Sequence, residues 1–202
     1  ANTAVGYNAL SANTGDGATA VGKDALELNT TGANTAVGAN SLATVTSGTL
    51  NVAVGNDALT VNTASNNTAV GANALLANTT GAENVAVGAN ALDANTSGVS
   101  NVAVGQGSLD SNTTANNNTA VGHDSMKSNT TGAENTAVGK GALNGNTTGA
   151  SNAAVGRSAL GVNTTGDYNV AFGQGALDAN TTADYNSALG YDALGGNTTG
   201  TQ

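Results

Sequence analysis

Residues that could carry out chemistry are few in this chain. The single histidine, His123, stands at a variable repeat position that holds Lys or Tyr elsewhere, and there is no cysteine. A Ser-His-Asp or Cys-His arrangement therefore cannot recur, and no thiol site is possible. Asp93 and Asp110 stand one repeat apart and are expected to raise the local negative potential. We predict no enzymatic activity, and no catalytic, cofactor-binding or metal-binding residues.

Tyrosines are the best candidates for contact with a ligand. Tyr168 and Tyr185 share one repeat position, one repeat apart, and Tyr7 and Tyr191 share another. Exposed aromatic rings can stack on sugars or pack against protein. Isolated surface tyrosines without a ligand explain the pattern equally well, so both interpretations stay open.

The elements that position these side chains are set by a tandem repeat. A phrase of the type Asn-Thr/Val-Ala-Val-Gly occurs twelve times, and its glycines are 16 or 17 residues apart. Such a period is typical of a solenoid, in which each repeat forms one coil stacked on the last. Disorder is the alternative for a chain rich in Asn, Thr and Gly. Leu recurs four residues after nearly every phrase glycine, which a disordered chain would have no reason to maintain.

Composition limits the partners and the core. Only 2% of the 202 residues are aromatic while 39% are hydrophobic, which suits a thin core of small side chains. A formal charge of -9 disfavours nucleic acid or an anionic membrane surface as partner. No apolar run approaches the roughly 20 residues of a membrane span, so no membrane insertion is expected. We interpret residues 1–202 as one solenoid domain, which begins inside a repeat as a segment of a longer chain or filament would.

Each coil is predicted to contain two short strands. The frequent Gly, Asn and Thr disfavour a helix, and the apolar residues come as short Ala-Val and Ala-Leu pairs. We assign the first strand to Asn-Thr-Ala-Val-Gly and the second to Ala-Leu-x-x-Asn-Thr, with Gly at the corners. Asn side chains in register can form hydrogen-bonded ladders between coils. The expected fold is an all-β, parallel β-solenoid (β-roll) of about twelve coils.

Strand alternation then assigns the faces of each coil. Val and Leu are the bulkiest regular apolar residues, so they are expected to meet inside the coil, in the set Val54, Val87, Val121, Leu59, Leu92 and Leu109. The repeated alanines would then form an exposed alanine face against which a partner packs, represented by Ala53, Ala86, Ala103 and Ala120. The opposite assignment, with Ala inside, remains open.

The phrase at residues 51–55 resembles the head repeats of trimeric autotransporter adhesins of the YadA-like type. The longer unit at residues 135–149 resembles repeat arrays in tail-fibre-like proteins of phages and bacteria. This resemblance implies a left-handed parallel β-roll in a homotrimer, working as a fibre shaft or an adhesive head. The unit here is longer than the usual adhesin head repeat and has an additional Thr-Thr-Gly corner.

Three functions follow as expectations. The leading one is a structural fibre or adhesin segment that is trimeric, binds its own copies and presents a surface to a host or matrix glycan or protein. It would act outside the cell, on the cell surface or on a virion tail fibre. The second is an extracellular filament subunit that stacks end to end through exposed strand edges. The third is an ice-binding solenoid, which the adjacent rather than alternating Thr pairs disfavour.

Overall fold

Stacked coils with one short strand each make up the whole of the described structure. The computed structural model describes residues 1–200 and, within them, shows twelve strands and no helix. In chain order β1 to β12 are Thr3–Val5, Thr19–Val21, Thr35–Val37, Val52–Val54, Thr68–Val70, Val85–Val87, Val102–Val104, Thr119–Val121, Thr136–Val138, Ala153–Val155, Val170–Phe172 and Ser187–Leu189.

Every strand pairs in parallel with the strand of the next coil, in strict chain order from β1 to β12. The register places like residues above one another, so that Ala53 pairs with Ala69 and Val54 with Val70. Paired strands lie about 4.8 Å apart, which sets the rise from coil to coil. The predicted all-β parallel solenoid, built from a tandem repeat, is confirmed.

The second predicted strand of each coil is wrong, because this segment forms a chain of tight turns. Leu59 and Leu92 have φ values of 55° and 53°, in the left-handed region that a strand residue does not adopt. Asn95 donates its backbone N–H back to the Leu92 carbonyl at 3.1 Å, which closes a four-residue β-turn. The turns still bind the neighbouring coil, since the Leu92 N–H donates to the Ser108 carbonyl at 3.1 Å.

The core consists of alanine from the strands and of leucine from the turns. The central alanines of β2 to β11 are fully buried, and so are Leu59, Leu92 and Leu109, which confirms the leucine half of the predicted core. The valine half is wrong. Val54 and Val87 lie on the outside with about 36% of their surface exposed, and Val121 is only half-buried. The predicted exposed alanine face is also wrong, because Ala53, Ala86, Ala103 and Ala120 are completely buried.

Left-handed turns explain why the faces are reversed. In a strand, successive side chains point to opposite faces, so only one of two neighbours can be inside. In the turn segment both Ala58 and Leu59 are buried, since the positive φ of Leu59 breaks that alternation. The turn therefore fills the interior from its own side with two side chains per coil. Only a methyl group fits opposite it, which is what Ala53 provides.

Two buried columns of asparagine join the coils at the corners. In the column that precedes each strand, Asn67 Oδ1 accepts the backbone N–H of Asn84 at 2.9 Å, while Asn84 Nδ2 donates to the Gly98 carbonyl at 2.8 Å. In the column that follows each turn, Asn95 Nδ2 donates to Asn78 Oδ1 at 2.8 Å. These amides satisfy corner backbone groups that a buried loop would otherwise leave unpaired.

One coil shows how the second ladder tolerates an interruption. Val45 replaces asparagine there and is fully buried. Asn29 Oδ1 instead accepts from Asn34 Nδ2 at 3.0 Å, and Asn62 Nδ2 donates to the Ala64 carbonyl at 2.7 Å. Because both neighbours find other partners, the apolar replacement leaves their amide groups satisfied.

Threonine hydroxyls also serve coil stacking. Thr96 Oγ1 donates to the Thr113 carbonyl of the next coil at 3.0 Å, and Thr147 Oγ1 does the same to Thr164. These hydroxyl protons point along the stack and add a hydrogen bond between neighbouring coils.

The phrase glycines mark the closest approach between coils. Gly139 has a φ of 135°, and a Cβ added to it would lie 2.6 Å from the carbonyl oxygen of Gly156. Gly141, two residues on, has a φ of 66° and open space around it, with the nearest atom outside its chain neighbours at 3.9 Å. Asn40 and Asn90 occupy the Gly141 position in other coils with φ near 57°.

Gly139→Ala is expected to lower the free energy of unfolding by about 2–4 kcal/mol, because the new methyl group must push two coils apart in a strained conformation. Gly141→Asn, the matched control, should leave stability unchanged or slightly raised. Thermal unfolding followed by circular dichroism measures both. An equal response of the two variants would contradict the close coil approach at Gly139.

Candidate functional site

The largest regular surface feature is the outer face of the strand ladder, which we call the outer strip. It consists of the first and third residues of β1 to β12, since the central alanines face the core. The first residues form the Thr/Val column, and the third residues form the Val column. Each member is exposed or half-buried, in contrast to the buried alanine between them in β2 to β12.

The outer strip is free of ionisable side chains along its full length. Its members are Thr, Val, Ala, Ser, Phe and Leu only, although the chain carries thirteen acidic and four basic residues. Eleven coil steps of about 4.8 Å and three residues of about 3.3 Å give a flat area on the order of 500 Å². The apolar part of this face is the Val column, and contiguous exposed apolar side chains of this kind mark interaction surfaces.

The outer strip changes character in its last two coils. The Val column is valine in β1 to β10 and then becomes Phe172 and Leu189, which are 55% and 81% exposed. Together with Val170, Ser187 and Ala188 they line an open apolar concavity of about 340 Å³. From sequence alone these two departures from valine indicate no surface, because the Val column is expected inside the coil.

Of the four candidate tyrosines, the structure brings two together. The rings of Tyr168 and Tyr185 stack with centroids 5.1 Å apart and planes inclined by 4°, and both rings remain more than half exposed. Tyr7 follows β1 and Tyr191 follows β12, so they stand at opposite ends of the ladder. Both are also exposed. A joint contact with one small ligand is thus open only to Tyr168 and Tyr185.

The acidic pair lies on the turn side, away from the outer strip. Partial burial raises the pKa of the Asp93 carboxyl above its ordinary value, and the Asp110 carboxylate of the next coil raises it further. Burial also raises the pKa of Asp110, against an opposing effect of Lys127. The charged form of Asp93 is therefore disfavoured by the fold.

His123 lies in a small surface cluster with Asp124 and Lys127. Its Nδ1 is 3.0 Å from Asp124 Oδ2, and Lys127 Nζ is 3.1 Å from Asp124 Oδ1. His123 and Lys127 are exposed and Asp124 is half-buried, and surface pairs of this kind contribute little to stability. Within residues 1–200, no three His, Asp or Glu side chains are grouped so that they could hold a metal ion.

By its fold and by this surface, the chain is a parallel β-solenoid repeat protein with an uncharged outer strip. No protein-family model, no curated protein and no solved structure matches the chain. In the part of the chain that the structure describes, there is no helix with the length and apolar character needed to cross a membrane.

Asp93→Asn is expected to raise the melting temperature at pH 7 by about 1–2 °C. A carboxyl whose folded pKa is raised destabilises the fold wherever it is ionised, and this penalty disappears as the pH falls below both its folded and unfolded pKa values. The gain of the variant should therefore vanish near pH 3. Melting curves at the two pH values measure it, and a gain that is equal at both would contradict this assignment.

Proposed function

We propose that the chain is a non-enzymatic structural fibre or adhesin segment that assembles as a homotrimer through the outer strip. In this role it forms a stiff shaft outside the cell or on a phage tail, and extends or presents a surface-binding element. The observation that supports this function best is the outer strip itself, since it is long, free of charge and built mainly from Thr and Val.

Periodicity favours copies of the same chain as the partner. Any protein that covers the outer strip along its length must match side chains repeating about every 4.8 Å over twelve strands. A second copy of this chain has the same period, because it has the same fold. Most soluble oligomers are also built from identical chains in closed, symmetric arrangements.

The distribution of charge supports the same arrangement. A net charge of -9 would repel copies of the chain if acidic groups met across the interface. The acidic side chains are instead confined to the corners and turns, and the strip offers only apolar and hydroxyl groups. Copies can therefore approach along the strip without bringing carboxylates together.

Rigid coil stacking suits the role of a shaft. Eleven steps of about 4.8 Å give a rod roughly 53 Å long, held by strand pairing, asparagine ladders and threonine hydroxyls in nearly every coil. On such a rod the stacked pair Tyr168 and Tyr185 is the candidate contact with a surface glycan or protein, since exposed aromatic rings bind sugar faces and apolar side chains.

Mass measurement tests the proposed assembly. Size-exclusion chromatography with light scattering should give three times the chain mass of 19.2 kDa for the unaltered protein. Val87→Arg should yield a folded monomer, because three buried guanidinium groups without partners would meet at the interface. Circular dichroism should show that its coils remain intact.

Val162→Arg is the matched control, since Val162 is similarly exposed but lies in a turn away from the strip. It should stay trimeric. An unaltered chain that is monomeric at every accessible concentration would overturn the proposed function. A trimer that survives Val87→Arg would show that the outer strip is not the interface.

A further inference from the structure

We propose that the corner following β9 and β10 binds an acidic glycan, through the side chains of Lys140, Arg157 and Ser158 around Gly141. We call these four residues the basic notch. The notch belongs to a single chain, so it does not depend on the homotrimer proposed above. It gives a role to two cationic side chains that lie outside the outer strip.

Stacking places Lys140 and Arg157 directly next to each other along the solenoid. Each follows the phrase glycine of its coil. The Ser158 N–H, one residue after Arg157, donates to the Lys140 carbonyl at 3.1 Å. The two backbones are therefore one strand spacing apart, about 4.8 Å, and both side chains are exposed. Two like charges at this spacing repel each other, and an anion bound between them relieves that repulsion.

No carboxylate neutralises these two side chains. Residues 135–166 contain no Asp or Glu, the longest such stretch of the chain, yet they hold two of its four basic residues. Among residues 1–200, neither Lys140 nor Arg157 forms an ion pair or a side-chain hydrogen bond. The local charge is therefore positive on a chain whose net charge is -9.

The same repeat position shows how a base is neutralised elsewhere in the chain. Lys23 is followed by Asp24, and Lys23 Nζ lies 2.6 Å from Asp24 Oδ2. His123 is followed by Asp124, and His123 Nδ1 lies 3.0 Å from Asp124 Oδ2. In the basic notch the residue after the base is glycine or serine, so the base stays unpaired.

The column that Gly141 and Ser158 share is open at these levels. In other coils it holds amides and carboxylates that bond from coil to coil, as where Asn40 Nδ2 donates to Asp57 Oδ1 at 2.8 Å. Gly141 has no side chain, and a Cβ added to it would have only Ser158 Oγ within 4 Å, at 3.9 Å. The Ser158 hydroxyl has no hydrogen-bond partner within residues 1–200. Free space, two cations and an unused hydroxyl donor therefore adjoin one another.

This set of groups suits an oxyanion. The Arg157 guanidinium is a planar fork of N–H donors that matches a carboxylate or a tetrahedral oxyanion, and Lys140 adds a flexible ammonium group. Ser158 Oγ can donate a third hydrogen bond from the neighbouring column. Hydrogen bonds from charged donors to an anion are about twice as strong as those between neutral groups, so the notch selects a negatively charged ligand group.

Neighbours in the same column indicate that the anion belongs to a sugar chain. Gln174 lies one coil beyond Arg157, and Tyr191 lies one coil beyond Gln174. Both side chains are exposed. An amide can hydrogen-bond sugar hydroxyls, and an aromatic ring can pack against the apolar face of a sugar. An acidic glycan lying along the solenoid axis can therefore use the charged and the uncharged members of this column together.

Nucleic acid fits the basic notch less well. It carries a charge at every nucleotide, so its binding depends on cations along its length. The notch is only two coils high, with Asp124 one coil before Lys140 and Asp192 two coils beyond Arg157. A polyanion that extends past the notch meets these carboxylates.

Binding of defined oligosaccharides tests the site. Labelled hexasaccharides of heparin, which carry sulfates and carboxylates, and of hyaluronan, which carry carboxylates only, are titrated with the whole chain at low and at physiological ionic strength. Dextran oligosaccharide is the uncharged control. At least one acidic glycan should bind, more weakly as salt rises, and dextran should not. Binding of heparin alone would identify sulfate as the recognised group. No binding of either acidic glycan at low ionic strength would overturn the proposal.

Removing the charges one at a time locates the site. Lys140→Gln and Arg157→Gln should each weaken binding about fivefold, the effect of one exposed ion pair, while both variants remain folded. Lys23→Gln is the matched control, because it removes a base of the same column that Asp24 already neutralises. It should bind like the unaltered chain. An equal loss in Lys23→Gln would show that only net charge matters and would overturn the basic notch.

Filling the open column gives an independent test. Asp24 and Asp57 occupy the Gly141 position in other coils with φ of 56° and 55°, so Gly141→Asp should fold. Its carboxylate should pair with Lys140 and weaken glycan binding at least about fivefold more than Gly141→Asn, which has the same size without the charge. Gly141→Asp binding as tightly as the unaltered chain would show that no anion binds there.

The outcomes separate this inference from the proposed function. A monomeric chain that binds acidic glycans would overturn the homotrimer and leave the basic notch standing. A trimer whose glycan binding is unchanged by Lys140→Gln and Arg157→Gln would overturn the notch alone. A single-stranded oligonucleotide that binds as tightly as the glycans at physiological ionic strength would overturn the assignment of a glycan.

Discussion

Consecutive coils of this protein lie one strand spacing apart around their whole perimeter, and the rest of the structure depends on that constraint. On the strand side it is met by parallel pairing from β1 to β12. On the turn side, the Leu92 N–H reaches the Ser108 carbonyl. At the corner Gly139 leaves no room for a Cβ against Gly156. Since no segment can move apart without breaking these contacts, each coil copies the shape of the last.

The same constraint decides which side chains are inside. The left-handed turn at Leu59 directs both Ala58 and Leu59 inward, so the narrow interior is nearly full before the strand contributes anything. A left-handed Leu costs about 1–2 kcal/mol, and complete burial of its side chain contributes about 1.5–3 kcal/mol. The strand can then add only alanine. Valine is left outside, where it forms a surface suited to partners.

The sequence predicted the architecture well and the faces poorly, for one reason. A period of 16 or 17 residues with Gly, Asn and Leu at fixed offsets is a property of the chain, and stacking in register follows from it. The direction of Val54 depends on the conformation of Leu59 in the opposite segment. Left-handed leucine is too rare to be expected from sequence. If that segment were a strand, the larger side chain of Val would favour Val inside and Ala53 outside, and both expectations are wrong.

The candidate surface could be found only with the corrected faces. Phe172 and Leu189 stand out in the sequence as departures from valine, but inside a core they would be no more than packing changes. On the outer strip they become exposed apolar side chains beside the small Ala153 and Ser187. The stacked pair of Tyr168 and Tyr185, by contrast, follows from the repeat alone, because residues one coil apart must lie next to each other.

Introducing leucine at two adjacent positions tests the inside-out arrangement most directly. In Ala103→Leu the larger side chain enters the filled interior of β7, whereas in Val104→Leu it lies on the outer strip, where Leu189 already occupies the same column. Thermal unfolding of the two variants should show a large loss of stability for Ala103→Leu, of about 1–3 kcal/mol or more, and little change for Val104→Leu. The opposite ranking, with Ala103→Leu tolerated and Val104→Leu disruptive, would contradict a core of alanine and leucine.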